Sequence, residues 1–292
     1  MKEETPFRRF VSQFAESRLA LLGLCVFAII ALLAIFASWI APQNPYDLAQ
    51  LDIMDGRLPP GSKSIAGYTY WLGTDDQGRD MFSGMLYGLR ISLSVGVGSA
   101  LFAAAVGTTL GLVAAFRGRR TDAAIMRLVD LQLSFPSILV ALMILAILGK
   151  SVMNVVLALV IVEWAYYART ARATALVERR REYIEAAECL ALPRWRILFR
   201  HLLPNCLPPL IVIATQQVAR AIALEATLSF LGLGVPITEP SLGLLIANGY
   251  QYMLSGKYWI SFYPGIALLV TIVSINLAGD QLRDVLNPRL QR

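Results

Sequence analysis

Long apolar segments separated by short polar ones run along most of this chain. Two of these segments, residues 19–41 and 91–116, contain no charged side chain. Each is longer than the roughly 18 residues that mark a membrane-spanning helix. Four further apolar segments cover residues 131–149, 151–168, about 203–235 and 259–279. We therefore predict an all-α membrane protein with six transmembrane helices.

The first apolar segment has the position of a secretory signal peptide but not its pattern. Its core is longer than the roughly 7–15 apolar residues of a signal peptide. The bulky Trp39 and Ile40 also do not suit a cleavage site that prefers small residues. We therefore expect the segment to be retained as a membrane anchor.

The composition agrees with a membrane location. Apolar residues make up 57% of the 292 residues and charged residues 16%, against roughly 45–50% and 25% in soluble domains. This balance argues against an ordinary soluble enzyme. Cys25, Cys189 and Cys206 lie in or beside apolar or basic segments, so we expect reduced thiols rather than a disulfide scaffold.

The basic residues predict the orientation of the spans, because Lys and Arg near span ends resist translocation. With the N-terminus inside, 19 of the 26 basic residues fall on the cytoplasmic side. The net charge of +6 is then a topological signal, and the expected neighbour is anionic membrane lipid, with no nucleic acid. The predicted order is a cytoplasmic segment 1–18, a first transmembrane helix 19–41, an extracytoplasmic loop 42–90, a core domain 91–282 with five further transmembrane helices and a cytoplasmic loop 169–201, and a cytoplasmic tail 283–292.

The two longer outer segments are rich in turn-forming residues. Six aspartates in loop 42–90 suggest a calcium site at first sight, but Asp75, Asp76 and Asp80 lack the alternating ligands and closing glutamate of an EF-hand. We therefore expect helix caps and turns there, and no metal. Residues 236–258 contain short apolar pieces broken by proline and glycine, which predict either a re-entrant or interfacial helix or a plain loop.

The inner loop 169–201 holds eight arginines and four glutamates at helical spacing. A helix is predicted before Pro193, with Tyr183, Ala187 and Leu190 on a common side. Either the loop packs against the ends of its own spans, or it presents a rigid knob to a cytoplasmic partner. A second, shorter helix is predicted to have an apolar side made of Trp195, Leu198, Phe199 and Leu202.

Catalytic motifs are missing from the sequence. His201 is the single histidine, and no G-x-S-x-G motif frames a serine nucleophile. Gly149-Lys150-Ser151 resembles the end of a P-loop, but Ile144 stands where that motif requires glycine. An intramembrane enzyme, and ATP binding by this chain, are therefore disfavoured.

Three charged residues, Glu163, Arg220 and Glu225, interrupt the apolar segments. Charges are costly in hydrocarbon, so each of them should face protein or water. Arg220 and Glu225 lie about 140° apart on an ideal helix, which argues against a direct pair. Two interpretations stay open. In one, neighbouring helices satisfy these charges, or the helix ends before Glu225; in the other, the charges lie in a transport path.

Several motifs of the chain resemble those of one family. Glu185-Ala186-Ala187, followed by the run from His201 to Asn205, resembles the EAA motif of binding-protein-dependent ABC importer permeases. Residues 73–80 (GTDDQGRD), 228–234 (LSFLGLG) and 284–288 (DVLNP) are similar to motifs of the dipeptide, oligopeptide and nickel permeases. The resemblance covers nearly the whole chain, with the motifs in the family's order.

The resemblance implies a type I-like ABC importer permease that forms half of the translocation pathway for peptides or related small solutes. A second homologous permease, expected as a heterodimer, would complete the pathway, and an extracytoplasmic binding protein would deliver the solute. Two separate ATPase subunits would bind ATP and Mg, so this chain would hold no cofactor. The implied location is a bacterial inner membrane, with both termini in the cytoplasm.

The resemblance also implies a cytoplasmic coupling helix at the EAA motif, docked into a groove of an ATPase subunit. Ala191 stands where the motif normally has glycine, so either the turn is built differently or its geometry is relaxed. The implied coupling residues are Glu182, Glu185, Ala186, Ala187, Leu190, Ala191, Pro193 and His201.

One rival function is a stand-alone, ion-coupled secondary transporter, in which Glu163, Arg220 and Glu225 would couple ions to solute. Inverted repeats would favour it, and the sequence shows no convincing internal repeat. The solute itself is not named by the sequence, since relatives carry peptides, glutathione-like molecules, opines and chelated nickel.

Overall fold

The computed structural model describes residues 6–47, 51–64 and 67–286. Residues 1–5 of the predicted N-terminal segment and residues 287–292 of the predicted tail, which include Asn287 and Pro288 of the family motif, lie outside the described residues. Within the described ranges most of the chain is helical, and the strands form a single two-stranded hairpin, which confirms the predicted all-α class.

Three helices form the N-terminal part. Helix α1 (Pro6–Ala15) precedes α2 (Arg18–Ile35), and α3 (Ala37–Ile40) continues α2 after a one-residue break. The hydroxyl of Ser17 caps α2 by accepting a hydrogen bond from the N–H of Ala20 at 3.3 Å. Helices α2 and α3 together cover the predicted first span.

Capped turns build the loop that follows. Asp52 accepts a hydrogen bond from the N–H of Met54, and Asp80 accepts one from the N–H of Ser83, both at 2.9 Å. These bonds satisfy the free donors at two helix N-termini, which confirms the capping role predicted for the aspartates at these two positions. The elements of this loop are a 3-10 helix (Ile53–Asp55) and two antiparallel strands, β1 (Ser62–Lys63) and β2 (Thr69–Tyr70).

Helix α4 (Met81–Arg117) starts at Met81, directly after its capping residue Asp80, and not at residue 91 where the predicted apolar segment begins. It packs closely along α7 (Val152–Glu178), and glycine makes the close approach possible. A Cβ added at Gly107 would lie 2.2 Å from the carbonyl oxygen of Trp164, and one at Gly111 would lie 2.4 Å from that of Ala168. Neither position therefore has room for a side chain.

The predicted span 131–149 is broken. Helix α5 (Arg119–Ser134) and helix α6 (Ser137–Leu148) meet at an angle of 92°. The break lies at Phe135 and Pro136, where both residues have extended ψ values. Proline lacks an N–H and disfavours helical geometry in the residue before it, which explains the position of the bend.

The second half of the chain contains the other two long helices. Helix α10 continues through Glu225, so the interpretation that this helix ends before Glu225 is wrong. A short helix, α11, is present in the segment 236–258, as one of the two predictions for it stated. The elements are α8 (Glu182–Cys189), α9 (Arg194–Arg196), a π-helical turn (Ile197–Leu202), α10 (Leu203–Phe230), α11 (Leu242–Tyr250), a 3-10 helix (Met253–Ser255) and α12 (Trp259–Leu286).

Among the described residues, five helical stretches are long and apolar enough to cross a membrane: α2, α4, α7, the stretch Arg194–Phe230 and α12. The bent pair of α5 and α6 gives a sixth span if the two helices cross the membrane as one broken unit. The fold therefore agrees with the six spans predicted from the sequence. Helix α10 is roughly 42 Å long at 1.5 Å per residue. It begins at the π-helical turn beside α8 and ends at Phe230, whose ring contacts Tyr250 of α11. The two ends of the bundle are therefore called the α8 end and the α11 end.

Candidate coupling surface and intramembrane charges

Helix α8 is held on the bundle by one apolar side. Ile184 and Ala187 are buried in a cluster with Leu112 of α4 and Tyr167 of α7. Ile197, from the π-helical turn after α8, is buried in the same cluster. The sequence pattern placed Tyr183 and Leu190 on this side together with Ala187, but both are exposed, and Ile184 takes the inner position instead.

The opposite side of α8 is open to solvent in the described chain. Glu182, Glu185 and Ala186 are exposed there, and Glu182 and Glu185 lie in the first helical turn. Carboxylates at this position interact favourably with the helix dipole, so the helix holds them in place while they stay available for contact. The side chain of Leu190 is 74% exposed at the end of the same helix.

The turn after α8 has the geometry of a Schellman motif. The N–H of Leu192 donates to the carbonyl of Ala187 at 3.2 Å, and the N–H of Ala191 donates to the carbonyl of Glu188 at 2.9 Å. Ala191 has a φ of 51°, the left-handed conformation that glycine usually occupies in this motif. The turn at Ala191 therefore has the backbone geometry that glycine normally adopts in this motif, and it is not a different type of turn.

The segment after the turn is only partly buried. Pro193 has extended geometry directly before α9, so the chain enters the second helical piece at the predicted place. Of the predicted apolar side, Leu202 is buried, whereas Trp195 is 65% exposed and Phe199 is exposed. His201 is half-buried in the π-helical turn, and its carbonyl accepts a hydrogen bond from Asn205 at 2.8 Å.

Polar contacts join the start of α8 to the long helices. Arg179 donates to the carbonyl of Ala115 at 3.1 Å and stacks on the ring of Phe116 with 5.3 Å to the centroid. The hydroxyl of Tyr183 donates to Glu178 at 2.8 Å. The segment therefore has contacts to the ends of both α4 and α7, and it is tied to the bundle on more than one side.

Two ion pairs at the α8 end were not anticipated from the sequence. Arg172 pairs with Asp122, and Arg169 pairs with Asp130 at 2.5 Å, so α7 is joined to α5 twice. From the sequence, both arginines are predicted only as charges that set the membrane orientation. The sequence does contain a signal for these pairs. Asp122 and Asp130 are eight residues apart and therefore lie on one side of a helix, where they can meet arginines of a neighbouring helix.

Glu225 is completely buried and holds three elements together. Its carboxylate accepts hydrogen bonds from Ser92 of α4 at 2.8 Å and from Ser229 of α10 at 2.7 Å. Ser92 in turn accepts a bond from the N–H of Leu242, the first residue of α11, at 3.4 Å. The carboxylate of Glu225 is therefore satisfied by hydrogen bonds that include one from a neighbouring helix, as one of the two sequence interpretations stated.

Arg220 and Glu163 behave differently. Arg220 donates to the hydroxyl of Ser137 at 3.3 Å and lies over the ring of Tyr166, with 4.5 Å from the guanidinium carbon to the centroid. Glu163 is fully buried, and neither of its oxygens has a hydrogen-bond partner among the described residues. A direct pair between Arg220 and Glu225 is not formed, in agreement with their angular separation.

The loop before α4 contains a buried carboxyl group. Asp75 accepts hydrogen bonds from the N–H groups of Gln77 at 2.9 Å and Arg79 at 2.8 Å, but its second oxygen has no partner among the described residues. Burial raises the pKa of the Asp75 carboxyl to about 6, against the lowering effect of these two bonds. The indole N–H of Trp259 donates to the carbonyl of Thr74 at 3.1 Å and joins this loop to α12.

Two family models match the chain. Residues 107–292 match the family described as binding-protein-dependent transport system inner membrane component. Residues 5–60 match the N-terminal transmembrane domain of oligopeptide transport permease C. Together the two matches include the first span and the whole region from the second half of α4 to the C-terminal end.

Curated relatives match over nearly the full length. The di/tripeptide transport system permease protein DppC of Pseudomonas aeruginosa is 38% identical over 98% of this chain and 93% of its own length. The dipeptide transport system permease proteins DppC of Haemophilus influenzae and Escherichia coli are 37% and 39% identical, each over 99% of this chain and 97% and 95% of their own lengths.

Solved structures show the same fold. Two crystal forms of the MetNI methionine ABC transporter, described as inward facing conformations, match with TM-scores of 0.58 and 0.57 and identities of 20% and 22%. Each match covers 71% of this chain and 98% of the other. The family matches, the relatives and the multi-span fold agree: the chain belongs to the binding-protein-dependent transport system inner membrane components and is a multi-pass permease subunit of an ABC importer.

Proposed function

We propose that this chain forms half of a pathway for short peptides, together with a second homologous permease. Two separate ATPase subunits bind ATP and Mg, and an extracytoplasmic binding protein delivers the peptide; this chain itself holds no nucleotide. The support is the similarity, over 98–99% of the chain, to relatives whose names specify dipeptide or di/tripeptide transport. The comparisons do not support the stand-alone secondary transporter.

We propose further that α8 is the coupling helix. The support for this assignment is the way in which α8 packs on the bundle. Ile184 and Ala187 hold one side of α8 in the core, while Glu182, Glu185 and Ala186 project from the other. The exposed carboxylates suit basic groups in a groove of an ATPase subunit, and the small Ala186 permits close approach. Leu190 and the turn at Ala191 and Pro193 complete the docking surface, with His201 supporting it from the π-helical turn.

A helix packed on the bundle in this way can transmit movement of a partner subunit to the spans. Since α8 contacts both α4 and α7 through its buried side, movement of an ATPase subunit displaces the ends of two spans together. Binding and hydrolysis of ATP then change the relative free energies of two pathway conformations through different contacts in each. This chain contributes the contacts, and the partner subunit contributes the chemistry.

The same proposal gives the membrane orientation. The α8 end and both termini face the cytoplasm, and the α11 end faces outward, where the loop before α4 and helix α11 meet the binding protein. The uneven division of basic residues supports this orientation. Native Cys189, exposed at the end of α8, reports the inner side, and a cysteine at the exposed Ile53 reports the outer side.

A labelling experiment tests the orientation. In intact cells, a thiol reagent that cannot cross the membrane should label Ile53→Cys in a background without the three native cysteines. It should label a chain that retains Cys189 alone only after the membrane is permeabilised. Labelling of Cys189 in intact cells, with Ile53→Cys protected, would reverse the orientation.

Charge reversal tests the docking assignment. Glu185→Arg removes a carboxylate and adds repulsion at a basic groove, so the ATPase subunits should be lost during purification, and transport and the ATPase stimulation by loaded binding protein should fall. Glu16→Arg is the matched control, since Glu16 is also exposed but lies between α1 and α2. Normal co-purification, stimulation and transport in Glu185→Arg would refute the assignment.

A further inference from the structure

Arg220 is a charged side chain in the middle of α10 that has few polar contacts. A guanidinium group carries five N–H donors, and among the described residues Arg220 donates one side-chain hydrogen bond, to Ser137. The side chain is only half-buried in the single chain. A charge at this depth should face protein or water, because hydrocarbon contact is costly. Most of its donors are therefore available to a group outside this chain.

The position of Arg220 coincides with the break between α5 and α6. Ser137, its hydrogen-bond partner, is the first residue of α6 and directly follows the bend of 92°. Irregular backbone within a span occurs where it is covered by protein or lines a water-filled cavity. The break and the guanidinium group therefore lie at the same place, and both indicate that the bundle does not face lipid there.

The orientation of the guanidinium group also suits a ligand. Its central carbon lies over the ring of Tyr166, 4.5 Å from the centroid, a cation–π contact that restrains the planar guanidinium group. The N–H donors lie in that plane and point outward from its edge, so the contact with Tyr166 does not use them. A carboxylate bound by two parallel hydrogen bonds approaches along this edge.

Buried polar groups lie behind Arg220. Glu163, one helical turn before Tyr166, is fully buried with both oxygens unpartnered among the described residues. Gln217, one turn before Arg220, is buried, and its amide nitrogen has no partner there either. Unsatisfied polar groups on two packed helices are unfavourable in a purely structural contact and indicate a functional one.

We propose that Arg220 binds the C-terminal carboxylate of a peptide on its way through the pathway. Tyr166 restrains the guanidinium group through the ring contact. A peptide crosses as a zwitterion, and a guanidinium at the break offsets the cost of bringing its carboxylate away from water. This inference rests on the proposed peptide transport.

The experiment uses the assembled complex in proteoliposomes with loaded binding protein, and it expresses transport as peptide delivered per ATP hydrolysed. Two substrates are compared, dialanine and its C-terminal amide, and each variant is compared with the wild type on the same substrate, so that the preference of the binding protein cancels. The variants are Arg220→Gln and Arg220→Lys. The matched control is Arg127→Gln, at an exposed arginine of α5.

Arg220→Gln should lower the dialanine delivered per ATP about tenfold, which corresponds to about 1.4 kcal/mol, the scale of one hydrogen bond to a charged group. Arg220→Lys, which keeps the charge but not the planar fork, should restore part of the loss. Arg127→Gln should match the wild type, and the amide should lose much less than dialanine in Arg220→Gln. A wild type that transports no peptide would contradict the proposed function itself.

Two results would overturn the inference while leaving peptide transport intact. The first is unchanged delivery of dialanine per ATP in Arg220→Gln. The second is loss of the second permease during purification of Arg220→Gln, with normal delivery per ATP in the complex that survives; Arg220 would then bind an acidic group of that permease instead of the peptide.

Discussion

The hydroxyl of Ser92 donates a hydrogen bond to the carboxylate of Glu225 at 2.8 Å, across the contact between α4 and α10. The same hydroxyl accepts a bond from the first N–H of α11. A single serine therefore links a buried carboxylate to the N-terminus of a short helix at the α11 end. The position of that helix depends on a polar contact and not only on apolar packing.

Replacement of Glu225 should loosen α11. In Glu225→Leu, the hydroxyls of Ser92 and Ser229 lose their acceptor, and leaving buried groups unsatisfied costs about 1–3 kcal/mol each. Thermal unfolding of the purified complex should shift to lower temperature, and a thiol reagent should label a cysteine at the buried Leu245 faster. Glu225→Gln keeps the shape and one acceptor, so it should lose much less. Equal effects in both variants would contradict a hydrogen-bonding role.

Ala191→Gly should stabilise the turn after α8. A left-handed conformation costs an L-residue roughly 1–2 kcal/mol, and glycine adopts it without this strain. We expect a gain of about 1 kcal/mol, measured as slower hydrogen exchange of the N–H groups of Ala191 and Leu192, which close the turn.

Ala186→Gly is the control for that substitution. The same chemical change inside α8 should destabilise by roughly 1 kcal/mol, because glycine is a poor helix former. Faster exchange in both variants would show that the turn does not store backbone strain.

Bulk at Gly107 should separate α4 from α7. A Cβ there would lie within 2.2 Å of a backbone carbonyl, so Gly107→Ala should lower the unfolding temperature of the complex. Gly98→Ala serves as the control, because Gly98 is in the same helix and a Cβ there has nothing within 4 Å. In Gly98→Ala the higher helix propensity of alanine should leave stability unchanged or slightly raised. Similar losses in both variants would argue against backbone contact as the cause.

The pH dependence of the loop before α4 should follow Asp75. Its pKa in the folded protein is about 6, above the ordinary value of 3.8, so the folded state binds more protons than the unfolded state between these two values. The contribution of this group to stability is therefore full below pH 4 and falls as pH rises toward 6.

Asp75→Asn should remove this dependence. Since one pKa unit corresponds to about 1.4 kcal/mol, the variant should gain about 3 kcal/mol relative to the wild type near pH 7 and little near pH 4. Unfolding followed by tryptophan fluorescence measures the effect, because Trp259 is hydrogen-bonded to this loop. A difference that is the same at both pH values would exclude titration of Asp75 as its source.

The long helices were predictable because an uncharged apolar run of bilayer length has few alternatives. The boundaries were not. Helix α4 begins at Met81 because Asp80 caps it there, and the charge of Arg90 separates its first turns from the uncharged run that follows. The bend at Pro136 was hidden because the residues on both sides of it are apolar, so hydropathy joined two helices that the proline separates.

The candidate coupling surface was predictable in its charged half. Glu182 and Glu185 face solvent, and solvated carboxylates at helical spacing are visible in a sequence. The buried half was not, since Ile184 and Tyr183 are both apolar enough for the core and only the contact with α4 and α7 decides between them. The conformation of Ala191 was equally inaccessible, because it contradicts the local preference of alanine.

The glycine contacts between α4 and α7 have a mechanical consequence. Helix α4, about 55 Å long at 1.5 Å per residue, touches the main chain of α7 directly at Gly107 and Gly111, where no flexible side chain lies between them to absorb a displacement. We therefore expect the two helices to move as one rigid unit, with the contacts of α8 near one end of α4 and Ser92 about a third of the helix length from the other end. We expect a displacement at the α8 end to tilt α4 and α7 together, while the proline break between α5 and α6 accommodates the bending.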